Sequence, residues 1–231
     1  MTTLDSKNPG GIKEAKRKPL WARHAHGHHW RSSFDEFDGA KTGFWLFLAT
    51  EILLFAGIFC AYALFRMLYP AAWAEGSQSL DWRLGGLNTV VLLISSYTMA
   101  ASVYCLQTNQ QKRAQFNLII TFICGIAFLA IKFIFEYMPK WSEGKRPGML
   151  FDYPFAIDPN MPLWWSVYYC GTSLHAIHVI IGMVLIARVY FLSRKGTYGP
   201  KYYTGAEFTG LYWHIVDLIW IFLFPLLYLI H

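Results

Sequence analysis

Five apolar runs, each long enough to cross a bilayer and separated by short charged stretches, leave this chain few ways to fold. A hydrocarbon core of roughly 30 Å takes about 20 apolar residues per helix. Within such a core every backbone polar group must be satisfied inside the segment, which selects helices. The spacing predicts helices over about 42–69, 85–107, 114–138, 164–192 and 207–230, the first stopped by Pro70 and the third by Pro139. The fold class is therefore all-α, a polytopic membrane bundle of five transmembrane helices. Residues 42–231 form one membrane domain, preceded by a polar, basic tail over residues 1–41 that reads as flexible. Only 15% of the 231 residues are charged, well below the usual quarter of a soluble domain, and no internal repeat suggests a transporter built from inverted halves.

Charge placement predicts orientation. The tail carries Lys7, Lys13, Lys16, Arg17, Lys18, Arg23, Arg31 and Lys41. Lys112, Arg113, Arg188, Arg194, Lys195 and Lys201 fall on the same side, making fourteen, while Arg66, Arg83, Lys140, Lys145 and Arg146 make five on the other. Cytoplasmic loops hold the Lys/Arg excess, so the N-terminus is expected inside and His231 outside. This accounts for the net charge of +6 with no nucleic-acid partner. No apolar run within the first 41 residues resembles a secretory signal. Trp164 and Trp165 are expected in an interfacial aromatic belt.

The four cysteines, Cys60, Cys105, Cys124 and Cys170, are spread over four apolar segments with no CxxC pair, and read as buried small residues. The tail sequence His24-Ala-His26-Gly-His28-His29 admits copper or zinc binding, or a pH-sensitive tail at the membrane surface.

Ionisable groups at bilayer depth are the candidate functional residues, since each costs about 2.5–3.5 kcal/mol to insert. Glu51 lies nine residues into the first segment, roughly 13 Å deep. It has no evident cationic partner at that depth, which favours a neutral, hydrogen-bonding acid. His175 and His178 share a face of the fourth segment, and His214 and Asp217 a face of the fifth. Two readings stand side by side: a haem or metal site held by facing helices, or polar groups that bond across helices as structure. Lys132 and Glu136, one turn apart, are expected to pair with the lysine snorkelling outward. Asn88, Ser95 and Ser96 are expected to form interhelical hydrogen bonds.

Several of these residues sit in stretches that resemble subunit III of the haem–copper respiratory oxidases. Residues Gly43-Phe44-Trp45-Leu46-Phe47-Leu48-Ala49-Thr50-Glu51 with Phe55-Ala56-Gly57 are similar to its carboxylate-bearing helix. Leu87-Asn88-Thr89 with Leu92-Leu93-Ile94-Ser95-Ser96, Glu136-Tyr137, His175-Ala176-Ile177-His178-Val179-Ile180-Ile181-Gly182 and Tyr212-Trp213-His214-Ile215-Val216-Asp217-Leu218-Ile219-Trp220 follow its motifs in order. The chain departs from the pattern in lacking two extra N-terminal helices, as shorter bacterial forms do, and in carrying Ala176 and Lys132 where Gly and an uncharged polar residue are usual.

The resemblance implies a non-catalytic subunit of an aerobic oxidase that reduces O2 to water and pumps protons. It would stabilise subunit I, hold phospholipid, and support proton uptake. Haem and copper would reside in partner subunits, with no cofactor, metal or catalytic residue in this chain. The implied partners are subunits I and II, with a larger respiratory supercomplex as a further assembly. The implied location is the bacterial inner membrane. Glu51 corresponds to the family's buried carboxylate and Glu207 to the acid that opens its last helix, while His175, His178, His214 and Asp217 become a structural polar network. Cytochrome c is the expected electron donor. The alternatives are a quinol oxidase subunit, a redox-inactive relative of nitric oxide reductase, or a free-standing haem-b electron carrier ligated through His175 or His178 and His214.

Overall fold

The structure, a computed structural model, describes residues 33–230; the His-rich part of the tail and His231 lie outside them. Among the described residues, five helical spans are long and apolar enough to cross a membrane. Helix α1 is Ser33–Leu68 and the short α2 is Pro70–Gln78. Helix α3 is Trp82–Gln107, and α4 is Gln111–Ile131, continued by a π-helical turn, Lys132–Tyr137, and by α5, Met138–Ser142. Helices α6, Met161–Arg194, and α7, Thr204–Tyr228, complete the bundle. The end where α1, α4 and α7 begin is called here the near end, and the opposite one the far end.

The turns follow local chemistry. Asn109, at φ 61°, makes the left-handed step in the short connection between α3 and α4, a conformation that asparagine tolerates better than most residues. The resulting hairpin is antiparallel, and Thr98 on α3 bonds Thr121 on α4 at 2.8 Å. Pro70 starts α2 at a position that needs no N–H. This helix was not expected from the sequence. It folds beneath the far end because Gly76 lets the Trp164 ring lie against its backbone: a Cβ there would sit 2.3 Å from the ring.

Four sequence expectations change. Pro139 does not end the third span. The helix widens into the π turn just before it, which relieves the clash of a proline ring with the carbonyl four residues back. Trp164 and Trp165 are not a belt, being 1% and 0% exposed and stacked among Tyr168, Tyr169 and each other. Of the cysteines only Cys105 is buried, Cys60 and Cys170 facing outward. Lys132 does not snorkel. It is 4% exposed and points into the bundle.

Apolar side chains cover the outside as well as the core. Leu46, Leu53 and Met67 on α1, Tyr97 on α3 and Val184 on α6 are all well exposed. In water such surfaces would aggregate; against lipid they lie in a solvent as apolar as themselves. Close packing inside comes from small residues opposite large ones. Gly182 on α6 faces Trp213 on α7, where a Cβ would approach the indole to 2.7 Å.

Candidate functional site

The polar residues of the core resolve into three groups. The first joins α1 to α6. His178 Nε2 lies 2.7 Å from Glu51 Oε2, and its Nδ1 lies 2.7 Å from the Leu174 carbonyl oxygen. A carbonyl can only accept, so Nδ1 carries a hydrogen and donates it. The Glu51–His178 contact then holds one proton. Either protonated Glu51 donates to neutral His178, or imidazolium donates to carboxylate. Phe55 stands edge-on to the imidazole at 5.1 Å, and Tyr212 donates to the His178 carbonyl at 3.4 Å. The partner that Glu51 lacked in the sequence thus comes from the fourth span. The two residues lie 127 positions apart, and no local spacing announces the pair.

A second group is a seam between α3 and α7. His214 Nδ1 lies 2.5 Å from Ser96 Oγ. Trp213 Nε1 donates to Ser95 Oγ at 3.0 Å, and Trp220 Nε1 donates to Thr89 Oγ1 at 3.0 Å. The hydroxyls of Ser95 and Thr89 in turn donate to Leu92 O and Gly85 O on their own helix. Each indole therefore meets an oxygen whose hydrogen is already committed, the arrangement an indole N–H requires. Asp217 is buried beside Ser96, with neither carboxylate oxygen in a direct hydrogen bond of normal geometry. Asn88, fully buried on the same face of α3, also has no protein partner. Of the three residues expected to bond between helices, Ser95 and Ser96 do so.

The third group lies in the far half. Lys132 Nζ donates to Glu136 Oε2 at 2.5 Å, to Tyr228 Oη at 2.5 Å and to Tyr168 Oη at 3.3 Å. Tyr168 and Tyr228 also bond Glu136 Oε2, at 2.8 and 2.5 Å. Trp220 lies beneath the ammonium, 4.8 Å from ring centroid to Nζ, a cation–π contact strengthened by the dry surroundings. A buried charge pair needs its remaining donors and lone pairs satisfied; the two tyrosines complete the partners of the ammonium and of Glu136 Oε2, while Glu136 Oε1 is buried without a partner in the chain. The sequence pointed to the pair but not to Tyr168 and Tyr228, which come from other spans.

The four residues expected as one network do not meet. His178 belongs to the α1–α6 contact, and His214 with Asp217 to the α3–α7 seam. His175 is fully buried between Phe128 and Trp220, at ring distances of 5.5 and 5.3 Å, with both nitrogens unbonded. Glu207 lies in the first turn of α7, where a carboxylate meets the positive end of the helix dipole. Glu51 instead lies beside Tyr212, five residues further along α7 and roughly 8 Å deeper. The structure does not join the two carboxylates.

The polar seam and the glycine–tryptophan contact occupy the motifs that resembled a known family. A family model described as cytochrome c oxidase subunit III matches residues 21–231. The chain belongs to the cytochrome c oxidase subunit III family. A relative from Synechocystis sp. named cytochrome c oxidase subunit 3 is 34% identical over 209 residues, 89% of this chain and 80% of the relative. Proteins from Staphylococcus epidermidis and Staphylococcus aureus named probable quinol oxidase subunit 3 are 29% identical over 192 residues, 82% of this chain and 88% of each relative. The subunit III motifs HxxHVxxG and YWHxVDxxW thus have a physical meaning here. The histidine at 178 meets the α1 carboxylate, the glycine at 182 admits the tryptophan at 213, and the second motif supplies the α7 side of the seam.

Proposed function

We propose that the chain is the non-catalytic third subunit of a bacterial aerobic terminal oxidase, with haem, copper and the reduction of O2 in subunits I and II. The observation that carries this reading is how the core histidines are spent. A six-coordinate haem has two axial ligands, and one held by His175 or His178 with His214 would need an imidazole nitrogen from each facing the other across the iron. His178 has both nitrogens engaged, His214 is turned to Ser96 on α3, and His175 is enclosed by Phe128 and Trp220. These residues do not fit a haem, and their chemistry is that of helix fastening. The subunit's contribution is then a rigid body against subunit I that carries Glu51 and Glu207 as buried or partly buried carboxylates supporting proton uptake. Removing the chain from the purified oxidase should leave haem and copper per complex unchanged; loss of one haem with it would overturn the reading.

Cytochrome c is the donor we favour, in line with the cytochrome c oxidase relative at 34% identity, against 29% for those named for a quinol oxidase. Turnover of the purified complex with reduced cytochrome c should exceed that with a quinol. The reverse result assigns the quinol branch.

The basic asymmetry supports a cytoplasmic near end. Among the described residues, Lys112, Arg113, Arg194, Lys195 and Lys201 lie there. In a background without native cysteines, Lys112→Cys should label from the cytoplasm and Met149→Cys, fully exposed in the far-end loop, from outside. Labelling of both from one side rejects the orientation.

A further inference from the structure

Helices α3, α4, α6 and α7 form a square in which α3 and α6 stand at opposite corners. Each packs on α4 and on α7, and their own backbones do not come into contact. One layer of this square brings together a side chain from every corner: Asn88, Phe128, His175 and Trp220, each 0% exposed. Their levels agree. Trp220 Nε1 reaches Thr89, the chain neighbour of Asn88, at 3.0 Å, and the Phe128 and Trp220 rings lie 5.0 Å apart. Ten residues back from Thr98 is Asn88, and ten on from its partner Thr121 is Ile131, one turn from Phe128. His175 lies against both rings, at 5.5 and 5.3 Å.

Asn88 and His175 thus enter the layer from opposite corners, and neither has a bonding partner in the chain. Both amide atoms and both ring nitrogens are buried and unbonded. Four polar atoms gathered in one layer of the core are costly unless something bonds them. Their chemistry says what. A carboxamide offers an acceptor at Oδ1 and a donor at Nδ2, and a neutral imidazole offers one N–H and one bare nitrogen. Donors and acceptors are therefore matched. A cation would be met by the two donors and an anion by the two acceptors. Among the described residues, no group of three His, Cys, Asp or Glu side chains converges to hold a metal. Water donates and accepts equally and fits the set. The two imidazole nitrogens lie on different edges of the ring, so one molecule cannot serve both.

We propose that this layer is a buried water site, in which more than one water molecule joins Asn88 on α3 to His175 on α6. The site ties together the two helices that no direct contact joins. It lies between Asp217, three residues earlier on α7 and also unpaired, and the Lys132 ammonium, 4.8 Å from the Trp220 centroid. It is the middle of a polar column along the bundle. The packing of four helices carries it, independently of the oxidase assignment.

X-ray radiolysis of the intact complex in heavy-oxygen water tests this, because ionised bound water hydroxylates the side chains beside it. Phe128 and Trp220 should take up heavy oxygen although both are fully buried. Phe55 is the internal control: it is 1% exposed, and the polar groups beside it, His178 and Glu51, bond each other. Asn88→Leu with His175→Phe removes all four polar atoms and should abolish the uptake at Phe128 and Trp220. Thermal inactivation reads the same site separately. With water bonded between the two residues, Asn88→Leu strands the His175 side and should lower the midpoint, and adding His175→Phe should restore part of it. In a dry layer Asn88→Leu would remove unpaired polar atoms, and the midpoint would rise. Such a rise, or uptake at Phe128 and Trp220 no higher than at Phe55, overturns the proposal. Should the double variant fail to assemble, the comparison within the wild-type chain still decides. None of these outcomes bears on the haem content that tests the oxidase reading.

Discussion

Replacement of Lys132 by methionine is expected to be the most damaging single change in the bundle. It leaves the Glu136 carboxylate, 2% exposed, in the core without its cation. Breaking a buried ion pair by removing one partner costs about 3–5 kcal/mol, because the other charge stays buried and uncompensated. Tyr168 and Tyr228 would still donate to Glu136 Oε2, so the loss should fall short of an isolated carboxylate. The double variant Lys132→Met/Glu136→Gln removes both charges and keeps one acceptor oxygen, with two lone pairs, for the two tyrosines. It should recover most of the stability. Thermal inactivation of the complex, together with retention of this subunit through purification, gives the readout. A single variant as stable as wild type, or a double variant no better than the single, would show that the charge pair is not what holds α4, α6 and α7 together at this end.

Glu51→Gln is expected to assemble and to start turnover at a near-normal rate, while Glu51→Ala should lose the subunit or inactivate faster during turnover. The contact with His178 explains the difference. Nδ1 is committed to the Leu174 carbonyl, so neutral His178 presents an acceptor at Nε2. A glutamine amide can donate to that nitrogen as a protonated glutamate does. Alanine cannot, and leaving the imidazole unpaired costs roughly 1–3 kcal/mol. His178→Phe should resemble Glu51→Ala, stranding the carboxylate instead of the ring. The two alanine changes, Glu51→Ala and His178→Ala, should together cost less than their sum, since either alone already breaks the contact. Oxygen consumption and proton release in vesicles separate this structural role from an ionising one. If Gln abolishes turnover as fully as loss of the whole subunit, Glu51 must give up its proton, and the shared proton of the pair becomes functional.

Glu51 also shows where reading the chain alone stops. Its depth was legible from its position in the first apolar run, and the unusual presence of a carboxylate there marked it. Its partner was not, because rotation and depth of α1 against α6 are set by packing. The same limit produced the mistaken fates of Lys132, Trp164 and Trp165. In a soluble helix the buried face is apolar and the other polar, so periodicity tells inside from outside. A bilayer removes that contrast: lipid tails are as apolar as leucine, and all sides of each span look alike.

What the sequence by itself determined was therefore whatever depends on length, charge and local chemistry. That covers five crossings, the basic bias toward one end, the motifs of subunit III, and the polar side chains whose cost in hydrocarbon demands partners. The tertiary structure alone decided which partners those are. It gave Glu51 to His178, His214 to Ser96, and Lys132 to Glu136 within a cage of tyrosines from two other helices. It also turned Pro139 from a helix stop into the reason for a π turn, and it buried two tryptophans whose position suggested an interface. Hydrogen bonds between spans are fixed by helix rotation and depth, quantities set by close packing of small residues against large ones, such as Gly182 against Trp213 and Gly76 against Trp164. Those contacts join positions far apart in the chain, and nothing in the order of residues along one helix encodes them.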